Sequence, residues 1–148
     1  YPTCDGVTPA QWKSNVVYCP SINLIAYDND FAINLYSSYG DFSIGYLLSN
    51  AWSDAVQTQL NSTLESENRA LMNDCLTGVW TKDIIPIGSQ SQPFAISPGD
   101  LDEVITTALI IDDITGRPPA ASAFDRINTF RNGVLDGLGE CTKRLAVD

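Results

Sequence analysis

The sequence predicts an α+β fold, mainly helical, in which a small N-terminal β-hairpin is followed by about four to five helices. Three observations carry this expectation. Beyond residue 30, apolar residues recur at three- and four-residue steps over long stretches, the period of an amphipathic helix. Two short β-prone runs, Val16-Val17-Tyr18 and Leu24-Ile25-Ala26-Tyr27, flank the turn-like Pro20-Ser21-Ile22-Asn23. Two clear helix starts stand at Thr8-Pro9 and Ser97-Pro98, each pairing a hydroxyl cap with a first-turn proline. At 148 residues the chain has the size of one ordinary domain, so residues 1–148 are expected to share a single core.

The elements follow in order. Thr8 before Pro9, with Gln11 three residues on, reads as a capping box and starts a short helix. The two β-prone runs then form the hairpin. From Asp30, Phe31, Ile33, Leu35 and Tyr36 predict a short helix that breaks near Gly40. Phe42, Ile44, Tyr46, Leu47, Leu48, Trp52 and Val56 predict a long, mostly buried helix from about Asp41 to Leu60. Asn61-Ser62-Thr63 interrupts it and forms an N-x-T sequon, which has meaning only in a glycosylating host. The next helix is expected from near Glu65 to Lys82, with Leu71, Cys75, Leu76 and Val79 on one face. Residues Pro86 to Pro93 have loop composition. Ser97, Pro98 and Asp100 start a helix that should carry Leu101, Val104, Ile105, Ala108 and Leu109 inward and end at Gly116-Arg117-Pro118-Pro119. A last helix is expected from about Ala121 to Arg144, burying Phe124, Ile127, Phe130, Val134, Leu138 and Cys141.

Composition narrows the function classes. Eighteen acidic against eight basic side chains give a formal charge of -10. That field repels phosphate backbones and anionic headgroups, and the scattered cations form no basic patch, so a nucleic-acid partner is not expected. No run of about 20 apolar residues suggests a membrane span, so direct insertion by this segment is not expected either. The four cysteines, Cys4, Cys19, Cys75 and Cys141, are even in number and contain no C-x-x-C pair. Such a set reads as two structural disulfides and hence as an oxidising, exported setting. Tyr1-Pro2-Thr3 opens without a basic and apolar leader, which predicts an exported part of a longer precursor that an N-terminal segment could anchor.

Several segments, taken in order, resemble the neutral zinc metallopeptidases of bacteria. Tyr18-Cys19-Pro20 with Ile25, Tyr27 and Asp28 is similar to that family's opening strands, and Gly40-Asp41-Phe42-Ser43-Ile44-Gly45-Tyr46 resembles the approach to its metal helix. Asn73-Asp74-Cys75-Leu76-Thr77-Gly78-Val79-Trp80 looks like its second site segment. Ser97-Pro98-Gly99-Asp100-Leu101-Asp102-Glu103, then Ala123-Phe124-Asp125-Arg126 and Phe130-Arg131-Asn132-Gly133, look like its last two helices. The resemblance implies a zincin-like core and a bacterial cell envelope, of the actinobacterial kind.

The family's chemistry needs H-E-x-x-H, because histidines four residues apart on a helix chelate one zinc while the glutamate activates its water. In this sequence the motif falls on Asn50-Ala51-Trp52-Ser53-Asp54, and the third ligand falls on Ala70. The chain contains no histidine at all. The resemblance therefore implies a degenerate site at Asn50, Ala51, Asp54, Ala70 and Asp74, with no catalytic residue, no metal ligand set and no cofactor. What it predicts is a pseudo-enzyme: a protein- or peptide-binding module of the envelope or secreted space.

Other readings stay open on the sequence. Asn50, Asp54 and Asp74 offer oxygen ligands for a harder cation such as calcium. A hydrolase could use that metal or a carboxylate pair, Asp28 with Asp30 or Asp112 with Asp113. Serine chemistry finds no support: Lys13, Lys82 and Lys143 lie in no S-x-x-K context and no G-x-S-x-G occurs. The chain could instead be a structural subunit of an envelope membrane-protein complex. Four cysteines allow three connectivities; Cys4 with Cys19 and Cys75 with Cys141 is the favoured one, the second bond holding the last helix to the second site segment. Trp52 and Trp80 are expected in the core.

Overall fold

The computed structural model describes residues 4, 8–85, 97–116 and 119–145. The loop expected at Pro86 to Pro93, the opening Tyr1-Pro2-Thr3, and Arg117 and Pro118 lie outside the described residues. The described residues are mainly helical with one two-stranded antiparallel sheet. A single turn, α1 (Pro9–Trp12), precedes β1 (Val16–Cys19), a 3₁₀ turn at Pro20–Ile22, and β2 (Leu24–Tyr27). Asn23, in the left-handed conformation at φ 48, closes the turn and pairs Cys19 with Leu24 and Val16 with Tyr27. Among the described residues six helices follow: α2 (Asn29–Tyr39), α3 (Asp41–Gln59), α4 (Ser66–Ile84), α5 (Pro98–Thr115), α6 (Ala123–Asp136) and α7 (Leu138–Leu145).

The starts are the ones the local chemistry calls for. The N–H of Thr8 donates to Gln11 at 2.6 Å, and that of Ser97 to Asp100 at 2.5 Å. The Asp28 carboxylate caps α2 by accepting from the N–H groups of Asp30 and Phe31, and its other oxygen accepts from Ser14 at 2.9 Å. The helix therefore starts from the strand that precedes it. At φ 95, Gly40 turns the chain from α2 into α3.

The main core joins Phe42 and Tyr46 of α3, Val104 and Ala108 of α5 and Phe130 of α6. Trp80 stacks on Phe42 at 6.0 Å, and Tyr46 meets Phe130 edge-on at 6.1 Å. Helices α4 and α6 touch backbone to backbone: a Cβ on Gly78 would collide with the Phe130 carbonyl, and one on Gly133 with that of Cys75. Two smaller clusters form around the disulfides Cys4–Cys19 and Cys75–Cys141, each with Cα atoms 5.7 Å apart. Closing loops of 15 and 66 residues, they stabilise by about 3 and about 4 kcal/mol in the chain-entropy model. Two such bonds fit an oxidising, extracytoplasmic environment, and no helix is long and apolar enough to cross a membrane among the described residues.

Several expectations are corrected. The last helix is two: Gly137, at φ 78, ends α6 and restarts the chain as α7. The break resets the helical phase, so Cys141 is buried while Leu138 is 53% exposed. Phe124, in the first turn of α6, is also exposed. On α5 the inward face runs through Val104, Thr107, Ala108 and Ile111, which leaves Ile105 and Leu109 outside. Trp52 is 50% exposed, because α3 turns small and polar residues inward instead: Ser43, Ser49, Ser53 and Gln57 are buried. Serine tolerates this burial since its hydroxyl bonds its own helix, as Ser49 does to the Tyr46 carbonyl and Ser53 to that of Ser49.

Candidate functional site

A polar seam between α3 and α4 organises the site. Asn50, Asp54 and Gln57 recur at i, i+4 and i+7, which places them on one stripe of α3. Each finds a partner on α4. Asn50 donates to Asp74 at 2.9 Å, Asp54 accepts from the Arg69 Nε at 2.8 Å, and Gln57 donates to Asn73 at 2.7 Å and to the Arg69 carbonyl at 2.9 Å.

At one end of the seam lies Asp74, with no solvent exposure. Its Oδ1 accepts from the Tyr46 hydroxyl at 2.5 Å and from Asn50, and its Oδ2 accepts from the Arg126 Nε at 2.9 Å. Arg126 also donates to the Tyr46 oxygen at 3.0 Å and to Asp112 at 3.4 Å. Burial pushes Asp74 above the usual carboxylate range, while the charge and hydrogen bonds of Arg126 and the donors Tyr46 and Asn50 pull the other way. Burial works against the charge on Arg126, but Asp74 outweighs it and drives the guanidinium further towards protonation. Tyr46 is pushed well above its ordinary value, first by burial and then by the Asp74 charge. One guanidinium thus holds the buried Asp74 carboxylate and Tyr46 phenol and reaches out to the partly exposed Asp112, so that removing Arg126 orphans the buried pair.

Above this network opens a cleft of about 340 Å³. Asn50, Ala51, Asp54 and Ala70 all line it, facing Val16, Val17 and Tyr18 of β1, with Asp112 and Arg126 at its other wall. Asp74, the fifth residue expected at the site, is sealed beneath. Three consecutive strand residues can border one space only along the edge of the strand, because side chains alternate between faces. The register supports this geometry. The Asp28 N–H donates to the Asn15 carbonyl at 2.9 Å, so Asn15, Val17 and Cys19 point their backbone groups to β2 and the carbonyls of Val16 and Tyr18 point to the opposite edge. No third strand pairs with that edge among the described residues.

The oxygen groups imagined as a cation site have other occupations. Asp54 pairs with Arg69 at 2.7 Å, and the Asp74 oxygens are shared by three donors. Among the described residues the one grouping of three acids is elsewhere, at Asp41, Asp100 and Glu103. Of the proposed carboxylate pairs, Asp28 is taken up as a helix cap and Asp112 by Arg126. Sequence reasoning missed Tyr46, Asp112 and Arg126 as members of the site. The available signal was Arg126 itself, one of only eight cations, placed one residue before the inward-facing Ile127. No family model, no curated protein and no solved structure matches this chain.

Proposed function

We infer that the chain is a catalytically inactive, metallopeptidase-like domain, with a zincin-like core, that is exported and binds a protein or peptide segment in the cell envelope or secreted space. One observation carries the reading: the positions onto which the zinc motif falls, Asn50, Ala51, Asp54 and Ala70, border a single cleft that is also bordered by the edge of β1 with which no strand pairs among the described residues. An extended segment could lie there as a third strand, bonding the Val16 carbonyl and the backbone groups of Tyr18, since the Val16 N–H already donates to the Asn15 side chain at 2.8 Å, while its side chains enter the space beside Ala51 and Ala70. Arg126 and Asp112, opposite the strand, would read a polar or charged group of that segment. Without imidazole anywhere in the chain, and with its nearest carboxylates already ion-paired, the cleft has no free general base to activate water.

The test is to pan the oxidised chain against a random peptide library and recover the bound peptides by mass. Intact, enriched peptides, lost on Ala70→Trp, which fills the cleft, support the reading. Cleaved peptides overturn it. Equal enrichment by Ala70→Trp removes the cleft from the argument and favours a structural subunit that engages its complex through another surface.

A further inference from the structure

A second concave surface lies on the other side of β1, distinct from the cleft, with only Val16 bordering both. Tyr27 of β2, Ile33 and Tyr36 of α2, and Leu48 of α3 are 55, 55, 58 and 38% exposed around a hollow of about 350 Å³ floored by Ala32 and Ile44. Ile33 and Tyr36 are one turn apart on α2, and Ile44 and Leu48 one turn apart on α3, so both helices turn an apolar stripe outward at the same place. Contiguous aromatic and aliphatic exposure of this kind marks interaction sites. A hollow of this size takes one or two anchoring side chains.

Charge states which partner fits. The elements of this face, residues 16–59, carry the acids Asp28, Asp30, Asp41 and Asp54 and no lysine or arginine; Asp54 is paired with Arg69 in the other cleft, and the neighbouring Lys13 acts on Asp28. Asp30 stands three residues before Ile33, and Asp41 three before Ile44, so each acid borders the apolar stripe of its own helix. Beside Asp41, Asp100 and Glu103 bring their carboxylate oxygens within 4.8 Å of its own. Such a rim repels anionic lipid and nucleic acid, and it disfavours a second copy of a chain with net charge -10. We propose that the face formed by Tyr27, Ile33, Tyr36 and Leu48 docks a protein partner that presents apolar anchor residues flanked by lysine or arginine.

The test uses the isotope-labelled, oxidised 148-residue chain, titrated with a Leu/Lys amphipathic helical peptide and with the same peptide carrying Glu at every Lys, and follows backbone amide shifts by NMR. The expected result is that the Lys peptide shifts residues at Tyr27, Ile33, Tyr36 and Leu48 and that the Glu peptide does not bind. Tyr36→Asp weakens binding about tenfold or more, and Asp30→Lys weakens it and flattens its salt dependence. Leu109→Asp, equally exposed but on α5, leaves binding unchanged. Circular dichroism checks each fold, and Ile33→Ser with Tyr36→Ser replaces any aspartate variant that unfolds. Shifts centred on the cleft or around Trp52 and Leu138, equal binding of the Glu peptide, or full binding by a folded Tyr36 variant would overturn the proposal.

Discussion

The Nε of Arg126 on α6 lies 2.9 Å from the Oδ2 of Asp74 on α4, and the carboxylate has no solvent exposure. The contact ties the helix that ends the site to the helix beneath its cleft, and the same guanidinium reaches Tyr46 on α3 and Asp112 on α5. Removing Arg126 leaves the buried Asp74 charge without a counterpart, and removing Asp74 leaves Arg126 with the more distant Asp112 alone. Asp74→Ala and Arg126→Ala should each cost about 3–5 kcal/mol. In urea unfolding, the double variant should cost clearly less than the sum of the two, since neither charge is then stranded. Additive costs would show that the two residues act independently.

Glycine-to-alanine changes inside exposed helices ordinarily stabilise by up to about 1 kcal/mol. At Gly78 and Gly133 the sign should reverse, because the added methyl meets the backbone of the facing helix. Each change is expected to destabilise by about 1–3 kcal/mol through overpacking, measured by thermal or denaturant unfolding. Gly99→Ala, whose added Cβ meets nothing closer than 3.9 Å, provides the comparison.

Thr77 is fully buried, and its hydroxyl is the one buried side-chain polar atom without a partner among the described residues. Thr77→Val keeps the shape and removes the unmet hydrogen-bonding demand. It should raise stability by about 1 kcal/mol, and a loss of that size would show that the hydroxyl has a partner in solution.

Acid should weaken the join between the hairpin and α2. The N–H groups of Ser14, Phe31 and Asp30 hold Asp28 below its ordinary pKa. A depressed carboxylate contributes stability that is present above its unfolded value of about 3.9 and is lost as pH falls through the lower, folded value. Asp28→Asn keeps one acceptor oxygen but does not titrate. The stability difference between wild type and Asp28→Asn should therefore be greatest near neutral pH and shrink below about pH 4, as followed by denaturant titration at a series of pH values.

Much of the secondary structure was legible because it rests on local chemistry. Thr8, Ser97 and the α2–α3 break at Gly40 were readable as caps and turns, and the hairpin as two β-prone runs around a turn. The two disulfides formed in the favoured pairing. What periodicity could not resolve was phase. A three-and-four pattern fits several faces when leucines and isoleucines are spread around a helix, as on α5, and only packing selects Ala108 over Leu109. The buried serines of α3 read as polar because sequence does not reveal that a hydroxyl can bond its own helix. The three-way contact of Arg126 was equally invisible, since its partners lie 80, 52 and 14 residues away.

The seam between α3 and α4 also fixes how the two helices can be aligned. One turn to either side of Asp74 on α4 stand Ala70 and Gly78, and neither has a side-chain oxygen. A slip of α4 by a turn would present Asn50 and Tyr46 with a methyl group or with nothing, and would strand Arg126. An apolar seam of leucines would tolerate such sliding at modest cost, whereas this one admits a single alignment. The width and floor of the cleft are therefore set by hydrogen-bond arithmetic between two helices, independently of whatever the cleft holds.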